Sequence, residues 1–130
     1  MSRRKKILLI NPEPAAAYMI TMILKLNHYD VVPYSDPELA ISDFEKESYD
    51  LILMDLDMKG MSGFDLYKRM SQIDEKVNVC FMTDFRAKHI NEFETSFPDF
   101  PLTSLAEKPV GTADLLEILR SNLVGNKRAC

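Results

Sequence analysis

Short, mostly apolar runs recur along the chain and end in polar or turn-forming residues. They predict buried strands at 7–10, 31–34, 50–55 and 77–83, with a short fifth strand at 102–106. Because the runs are continuous rather than alternating with polar residues, they are typical of a parallel sheet that is covered on both faces. Pro33 cannot donate a hydrogen bond to a central ladder, so it predicts an edge position for the second strand.

Stretches of helical character lie between these runs. They predict helices at 15–27, from a cap at Ser35 to about Lys46, at 64–73, at 86–95 and from a cap at Thr112 to Gly125. The segment 97–101 is bracketed by prolines and predicts irregular backbone. Its two phenylalanines fit loop residues folded onto the core better than a partner-binding patch. Five strands that alternate with five helices indicate an α/β fold with one parallel sheet.

Length and composition restrict the class of protein. The chain has 130 residues, 46% hydrophobic and 28% charged, which indicates one globular domain over 1–130. No apolar run approaches the ~20 residues of a membrane span, and the N-terminus lacks a leader pattern. The net charge of −4 disfavours direct binding to nucleic acid. Cys80 and Cys130 have no metal-binding spacing, so we expect a reducing, cytoplasmic location.

Polar residues follow each predicted strand, at the sheet edge where open α/β folds bind their ligands. Asp55, Thr83 and Lys108 supply a carboxylate, a hydroxyl and an ammonium there. This combination suits a phosphoryl group on Asp55, with Asp55 as nucleophile, Thr83 as hydrogen-bond donor and Lys108 as counter-charge. The alternative is that each residue is an ordinary polar strand end. The other polar residues at this edge are Asn11, Glu13, Asp57, Asp84 and Glu107.

These residues stand in motifs that resemble a known family, the receiver domains of two-component response regulators. Residues 50–64 resemble its phosphoacceptor strand and loop, 6–14 its first strand and exit, 79–83 its switch strand, and 107–110 its Lys-Pro turn. The resemblance spans residues 5 to about 124, in family order. It implies a flavodoxin-like fold, a doubly wound five-stranded parallel sheet with strand order 2-1-3-4-5 and flanking helices.

The resemblance also implies functional roles. Asp55 would accept a phosphoryl group from a sensor histidine kinase or phosphotransfer protein, and Thr83 and Lys108 would contact that group. The fourth helix, fifth strand and fifth helix would bind a downstream protein partner or form a homodimer. Such a domain is a signalling module rather than a multiple-turnover enzyme. Family members bind Mg²⁺ through an acidic pair after the first strand, the phosphoacceptor, and a backbone carbonyl that here belongs to Asp57.

Several positions depart from the family pattern. The acidic pair falls on Asn11 and Pro12, and Mg²⁺ prefers carboxylates, so we expect weakened metal binding. Glu13 and Asp57 are the nearby carboxylates that could compensate. Leu105 occupies the position of the aromatic switch residue and cannot make that residue's hydroxyl contact.

Three functions therefore remain open. The first is a phosphorylated receiver, and the second is a degenerate receiver that binds a partner without phosphorylation. The third is a haloacid-dehalogenase-type phosphatase, which Asp55 and Asp57 resemble as nucleophile and general acid/base. That motif normally follows the first strand of its fold, whereas two strand–helix units precede it here. A receiver that fills 5–124 leaves no length in this sequence for an output domain, so we expect a stand-alone module or a fragment.

Overall fold

A computed structural model of the protein describes residues 3–108 and 111–123. Its main sheet has the strands β1 (Lys6–Ile10), β2 (Asp30–Tyr34), β3 (Leu51–Asp55), β4 (Asn78–Thr83) and β5 (Leu105–Glu107). The helices are α1 (Pro14–Leu26), α2 (Pro37–Asp43), α3 (Gly63–Ile73), α4 (Arg86–Ser96) and α5 (Thr112–Leu123). All strand pairs of this main sheet are parallel, in the order β2-β1-β3-β4-β5. The predicted α/β fold and strand order are confirmed, and β2, which contains Pro33, lies at an edge.

The strands are apolar throughout because both faces of the sheet are covered. Successive side chains of a strand point to opposite faces, so each strand feeds two separate cores. One core packs against α2, α3 and α4 and includes Leu8, Ile52 and Phe81. The other packs against α1 and α5 and includes Leu9, Leu53 and Met82. No helix within 3–108 or 111–123 is both long and apolar enough to cross a membrane.

Some predicted boundaries were wrong. The strand predicted at 102–106 begins only at Leu105, because residues 102–104 form a 3₁₀ turn in which Ser104 N–H donates to the Pro101 carbonyl. Helix α2 ends at Asp43 rather than near Lys46, since extended backbone at Phe44 carries its ring into the core. A hairpin of Asp57–Met58 with Met61–Ser62 was not predicted.

The predicted helix caps also shift by one residue. The cap of α2 is Asp36 rather than Ser35, and its carboxylate accepts the Glu38 N–H at 3.0 Å. Thr112 is the first residue of α5 rather than its cap, and Gly125 lies outside the described residues.

The phenylalanines after α4 belong to the core. Phe97 is buried, and its ring centroid lies 5.6 Å from that of Phe81 and 5.3 Å from that of the half-buried Phe100. Phe64 and Phe93 belong to the same aromatic cluster. The proline-rich segment therefore closes one hydrophobic core beneath α4.

Candidate functional site

The carboxyl ends of the central strands converge on one cavity of about 450 Å³. The sheet register explains the convergence. Asp55 pairs with Met82, so the next residue, Thr83, lies beside the end of β3, and Thr83 pairs with Glu107, the neighbour of Lys108. The charged side chains that line the cavity are Glu13, Asp55, Asp57, Asp84 and Lys108.

Asp55 and Lys108 are in direct contact. The Lys108 ammonium donates to Oδ1 of Asp55 at 2.5 Å, and the Asp55 side chain is only 4% exposed. Buried carboxylates are costly unless a positive charge or hydrogen-bond donors compensate them. Lys108 provides that compensation at one carboxylate oxygen.

The proton affinity of Asp55 reflects its surroundings. Burial raises the pKa of Asp55 above its usual range, and the negative charges of Asp57 and Asp84 add to this effect. The Lys108 ammonium acts in the opposite direction but does not cancel the increase. Asp55 is therefore a more basic carboxylate than an exposed aspartate, and one that still lies beside a cation.

Thr83 is engaged by a second carboxylate. Its fully buried hydroxyl donates to Oδ2 of Asp57 at 2.7 Å, and Nε2 of His89 lies 3.1 Å from Oδ1 of the same residue. Burial acts to raise the pKa of Asp57, but the Thr83 hydroxyl, His89 and the Asp84 N–H outweigh it, so this pKa is lowered. His89 lies in the first turn of α4, and the sequence pattern did not indicate its contact with Asp57.

The loop after β1 offers fewer metal ligands than the acidic pair of the family pattern would offer. Asn11 is buried and its Oδ1 accepts the Glu13 N–H at 2.9 Å, so this oxygen stabilises its own turn, and Pro12 has no ligand atom. No group of three or more metal-ligating side chains forms within the described parts of the chain. Glu13, Asp55 and Asp57 nevertheless line the cavity and carry oxygen atoms, and Mg²⁺ readily keeps water in its remaining positions. The donor set fits a weakly held Mg²⁺.

Leu105 is buried, and its backbone carbonyl is bound by a side chain from α4. Arg86, the first residue of α4, donates from Nε to the Leu105 carbonyl at 2.7 Å and from its terminal nitrogen to the Leu102 carbonyl at 3.2 Å. The Arg86 N–H donates to the Glu107 carboxylate at 2.9 Å. Arg86 thus fastens α4 to β5, a link that the sequence pattern did not predict.

Sequence comparison identifies relatives over most of this chain. Residues 7–120 match the family model described as "Response regulator receiver domain". The chain is 28% identical to Sporulation initiation phosphotransferase F of Bacillus subtilis over 62% of this chain and 65% of that protein. It is 26% identical to the response regulator receiver protein CpdR of Brucella abortus over 92% of this chain and 98% of that protein. Several curated transcriptional regulators match over only about a third of their own length.

Structural comparison supports the same fold. The chemotaxis response regulator CheY4 of Vibrio cholerae superimposes with a TM-score of 0.78 at 22% identity, covering 92% of this chain and 99% of that one. At this level of identity the match concerns the fold alone.

The environment of Asp55 predicts opposite effects from two substitutions. Asp84→Asn removes a negative charge and should lower the pKa of Asp55, so the carboxylate stays ionised at lower pH. Lys108→Met removes the cation and should raise that pKa. Carboxyl ¹³C NMR titration without metal measures both, with the exposed Asp65→Asn as control. Midpoints that stay unchanged or move in the reverse directions would contradict the electrostatic description.

Proposed function

Because this chain belongs to the response regulator receiver domain family, we propose that it accepts a phosphoryl group on Asp55 in a two-component phosphorelay. The observation that supports this most is the Lys108–Asp55 contact, in which one oxygen of a buried carboxylate is held by an ammonium. Receiver domains are generally phosphoacceptor modules that interact with histidine kinases or phosphotransfer proteins. We assign this chain a sensor kinase or phosphotransfer protein as donor, and a cytoplasmic location.

The proposed transfer follows from the two oxygens of Asp55. Oδ1 is bound by Lys108, and Oδ2 attacks the phosphorus of a phosphohistidine, so that the P–N bond breaks as the P–O bond forms. The histidine nitrogen takes the electron pair, and Lys108 neutralises charge on the acyl phosphate. Mg²⁺ held by Glu13, Asp55 and the Asp57 carbonyl would neutralise charge on the phosphoryl oxygens. Asp55 is a transient acceptor in this scheme, so multiple turnover is not its function.

In the proposed mechanism the signal depends on which acceptor binds the hydroxyl hydrogen of Thr83. A threonine hydroxyl has a single hydrogen to donate, and in this structure Thr83 gives it to Asp57. Donation to a phosphoryl oxygen on Asp55 requires Thr83 to leave Asp57. Phosphorylation therefore exchanges one acceptor for another, and Asp57 keeps His89 and the Asp84 N–H as partners.

The exchange is coupled to the proposed output face through Arg86. Thr83 accepts the Phe85 N–H at 3.2 Å, and the next residue, Arg86, holds β5 through the Leu105 carbonyl. A shift of Thr83 therefore acts on the start of α4 and on its attachment to β5. Leu105 has no hydroxyl or ring to move, so we propose that Arg86 replaces the aromatic switch at the surface of α4, β5 and α5, where a downstream protein binds.

A second function has specific support in the β1 loop. Because Asn11 serves its own turn and Pro12 offers no ligand, a receiver that binds its partner without phosphorylation fits the same fold. Phosphorylation and metal binding separate the two functions experimentally.

The direct test is phosphorylation by acetyl phosphate with Mg²⁺, followed by mass spectrometry of the intact protein. We expect one phosphoryl group per chain, and none in Asp55→Asn, because the amide lacks a nucleophilic oxygen of comparable basicity. Asp65→Asn, on the exposed face of α3, serves as the matched control and should be phosphorylated normally.

Two results would contradict the proposal. Absence of any adduct, together with absence of Mg²⁺ binding at millimolar metal, would favour the degenerate receiver. Steady hydrolysis of small phosphate esters that disappears in Asp55→Asn would favour the phosphatase.

The proposed metal site predicts that carboxylates added to the loop after β1 raise the affinity for Mg²⁺. Replacing Asn11 and Pro12 together by aspartate should tighten Mg²⁺ binding at least about tenfold, since two carboxylates then border the cavity. Tryptophan is absent, so isothermal calorimetry is a suitable measurement. Asn27→Asp with Asn91→Asp adds the same charge at exposed sites elsewhere and should have little effect. Unchanged affinity in the β1-loop variant would show that this loop does not face the metal.

A further inference from the structure

Thr83 already has an anionic partner in the unphosphorylated site. Its hydroxyl donates to Oδ2 of Asp57 at 2.7 Å, and a hydrogen bond to a carboxylate is stronger than one between neutral groups. The hydroxyl oxygen in turn accepts the Phe85 N–H at 3.2 Å, and Thr83 is fully buried. A phosphoryl oxygen on Asp55 would therefore have to compete with Asp57 for the single hydrogen of this hydroxyl.

Asp57 is held in this competing position from α4. Its side chain is 42% exposed, so an unrestrained carboxylate would turn between several orientations. Nε2 of His89 lies 3.1 Å from Oδ1, and the Asp84 N–H also donates to the carboxylate. An imidazole can carry a hydrogen on Nε2 in both its neutral and its protonated form, so this contact does not require a charged ring. With Oδ1 occupied by His89, Oδ2 faces Thr83.

The imidazole of His89 is itself fixed by the core. Its side chain is only 18% exposed, and its ring centroid lies 6.3 Å from that of Phe64, with the two ring planes at 81°. This edge-to-face arrangement is a favourable one for two aromatic rings. Phe64 is fully buried and packs against Phe97 in the aromatic cluster beneath α4. A continuous series of contacts therefore runs from this core through His89 and Asp57 to the Thr83 hydroxyl.

We propose that His89 is a positioning residue, which holds Asp57 as a competitor for the Thr83 hydroxyl and so lowers the affinity of the site for a phosphoryl group. This role rests on the proposed phosphorylation of Asp55. The competition stabilises the unphosphorylated state, because Thr83 must break its hydrogen bond to Asp57 before it can contact the phosphoryl group. Removal of either the Asp57 carboxylate or the His89 ring should therefore raise that affinity.

Charge effects must be separated from this competition. The Asp57 carboxylate repels a phosphoryl group whether or not residue 83 has a hydroxyl, whereas the competition requires that hydroxyl. A double-mutant cycle of Asp57→Ala with Thr83→Val isolates the part that depends on both groups. For His89 the two effects have opposite signs. Loss of a hydrogen-bond-donating ring as a charge effect would weaken the binding of an anion, whereas loss of its positioning role should strengthen it.

Binding of beryllofluoride at saturating Mg²⁺ and constant pH, followed by ¹⁹F NMR, tests the competition. Asp57→Ala should lower the Kd, and it should do so at least about fivefold more in the chain with Thr83 than in Thr83→Val. The backbone carbonyl of Asp57, which is the proposed metal ligand, is retained in these variants. Circular dichroism confirms that each variant is folded. Equal effects of Asp57→Ala in both backgrounds would overturn the competition.

The positioning role of His89 has its own test in the same assay. His89→Ala should lower the Kd about threefold, because Asp57 then loses an orienting contact. The effect should vanish in the Asp57→Ala background, and His89→Gln, which keeps an N–H donor, should retain the wild-type Kd. Lys88→Ala, at the exposed neighbouring position of α4, is the matched control. An unchanged or raised Kd in His89→Ala, or an effect that persists without the Asp57 carboxylate, would overturn this role.

The wild-type adduct separates the competition from phosphoacceptor function. If neither the wild-type chain nor Asp57→Ala binds beryllofluoride, the phosphoacceptor function of Asp55 fails and the competition fails with it. If the adduct forms with the same Kd in all variants, phosphoacceptor function stands and only the competition is overturned.

Discussion

The ion pair between Asp55 and Lys108 is the interaction on which the candidate site depends. It joins the carboxyl ends of β3 and β5 across the end of β4, and it holds a carboxylate that is almost fully buried. Burial raises the pKa of Asp55, and the positive charge of Lys108 offsets the negative charge that a phosphoryl group would add. The two apolar cores make this possible, because they fix the strands whose last residues meet there.

The remaining contacts of the site act as restraints on the unphosphorylated state. Asp57 binds the Thr83 hydroxyl, and His89 binds Asp57 from α4. Arg86 binds α4 to β5. The His89 contact connects the site to α4 and the Arg86 contact connects α4 to β5, so that in the proposed mechanism a change at Asp55 has a continuous route to the surface. In the proposed mechanism the polar contacts of Arg86 provide the coupling that Leu105 has no chemical group to provide.

Sequence patterns were sufficient to predict the order of strands and helices and the edge position of Pro33, and to recognise the family resemblance. They placed Asp55, Thr83 and Lys108 at one edge of the sheet because parallel strands share their carboxyl ends. They did not reveal that Thr83 binds Asp57, or that His89 and Arg86 bridge elements. Such contacts depend on which of several nearby partners a side chain selects, and linear spacing does not encode that choice. The loop after β1 was similar: sequence showed that Asn11 is not acidic, but only geometry showed that its oxygen serves the turn.

The proposed exchange of the Thr83 hydroxyl is tested most directly by a crystal structure of the beryllofluoride adduct with Mg²⁺. We expect Oγ1 of Thr83 to lie within about 3 Å of a fluorine of the beryllofluoride group bound to Asp55. The hydrogen bond from Thr83 to Asp57 should then be broken. Arg86 should be displaced from the Leu105 carbonyl in the same structure. An adduct in which Oγ1 remains 2.7 Å from Oδ2 of Asp57, as it is without the phosphoryl mimic, would contradict the exchange.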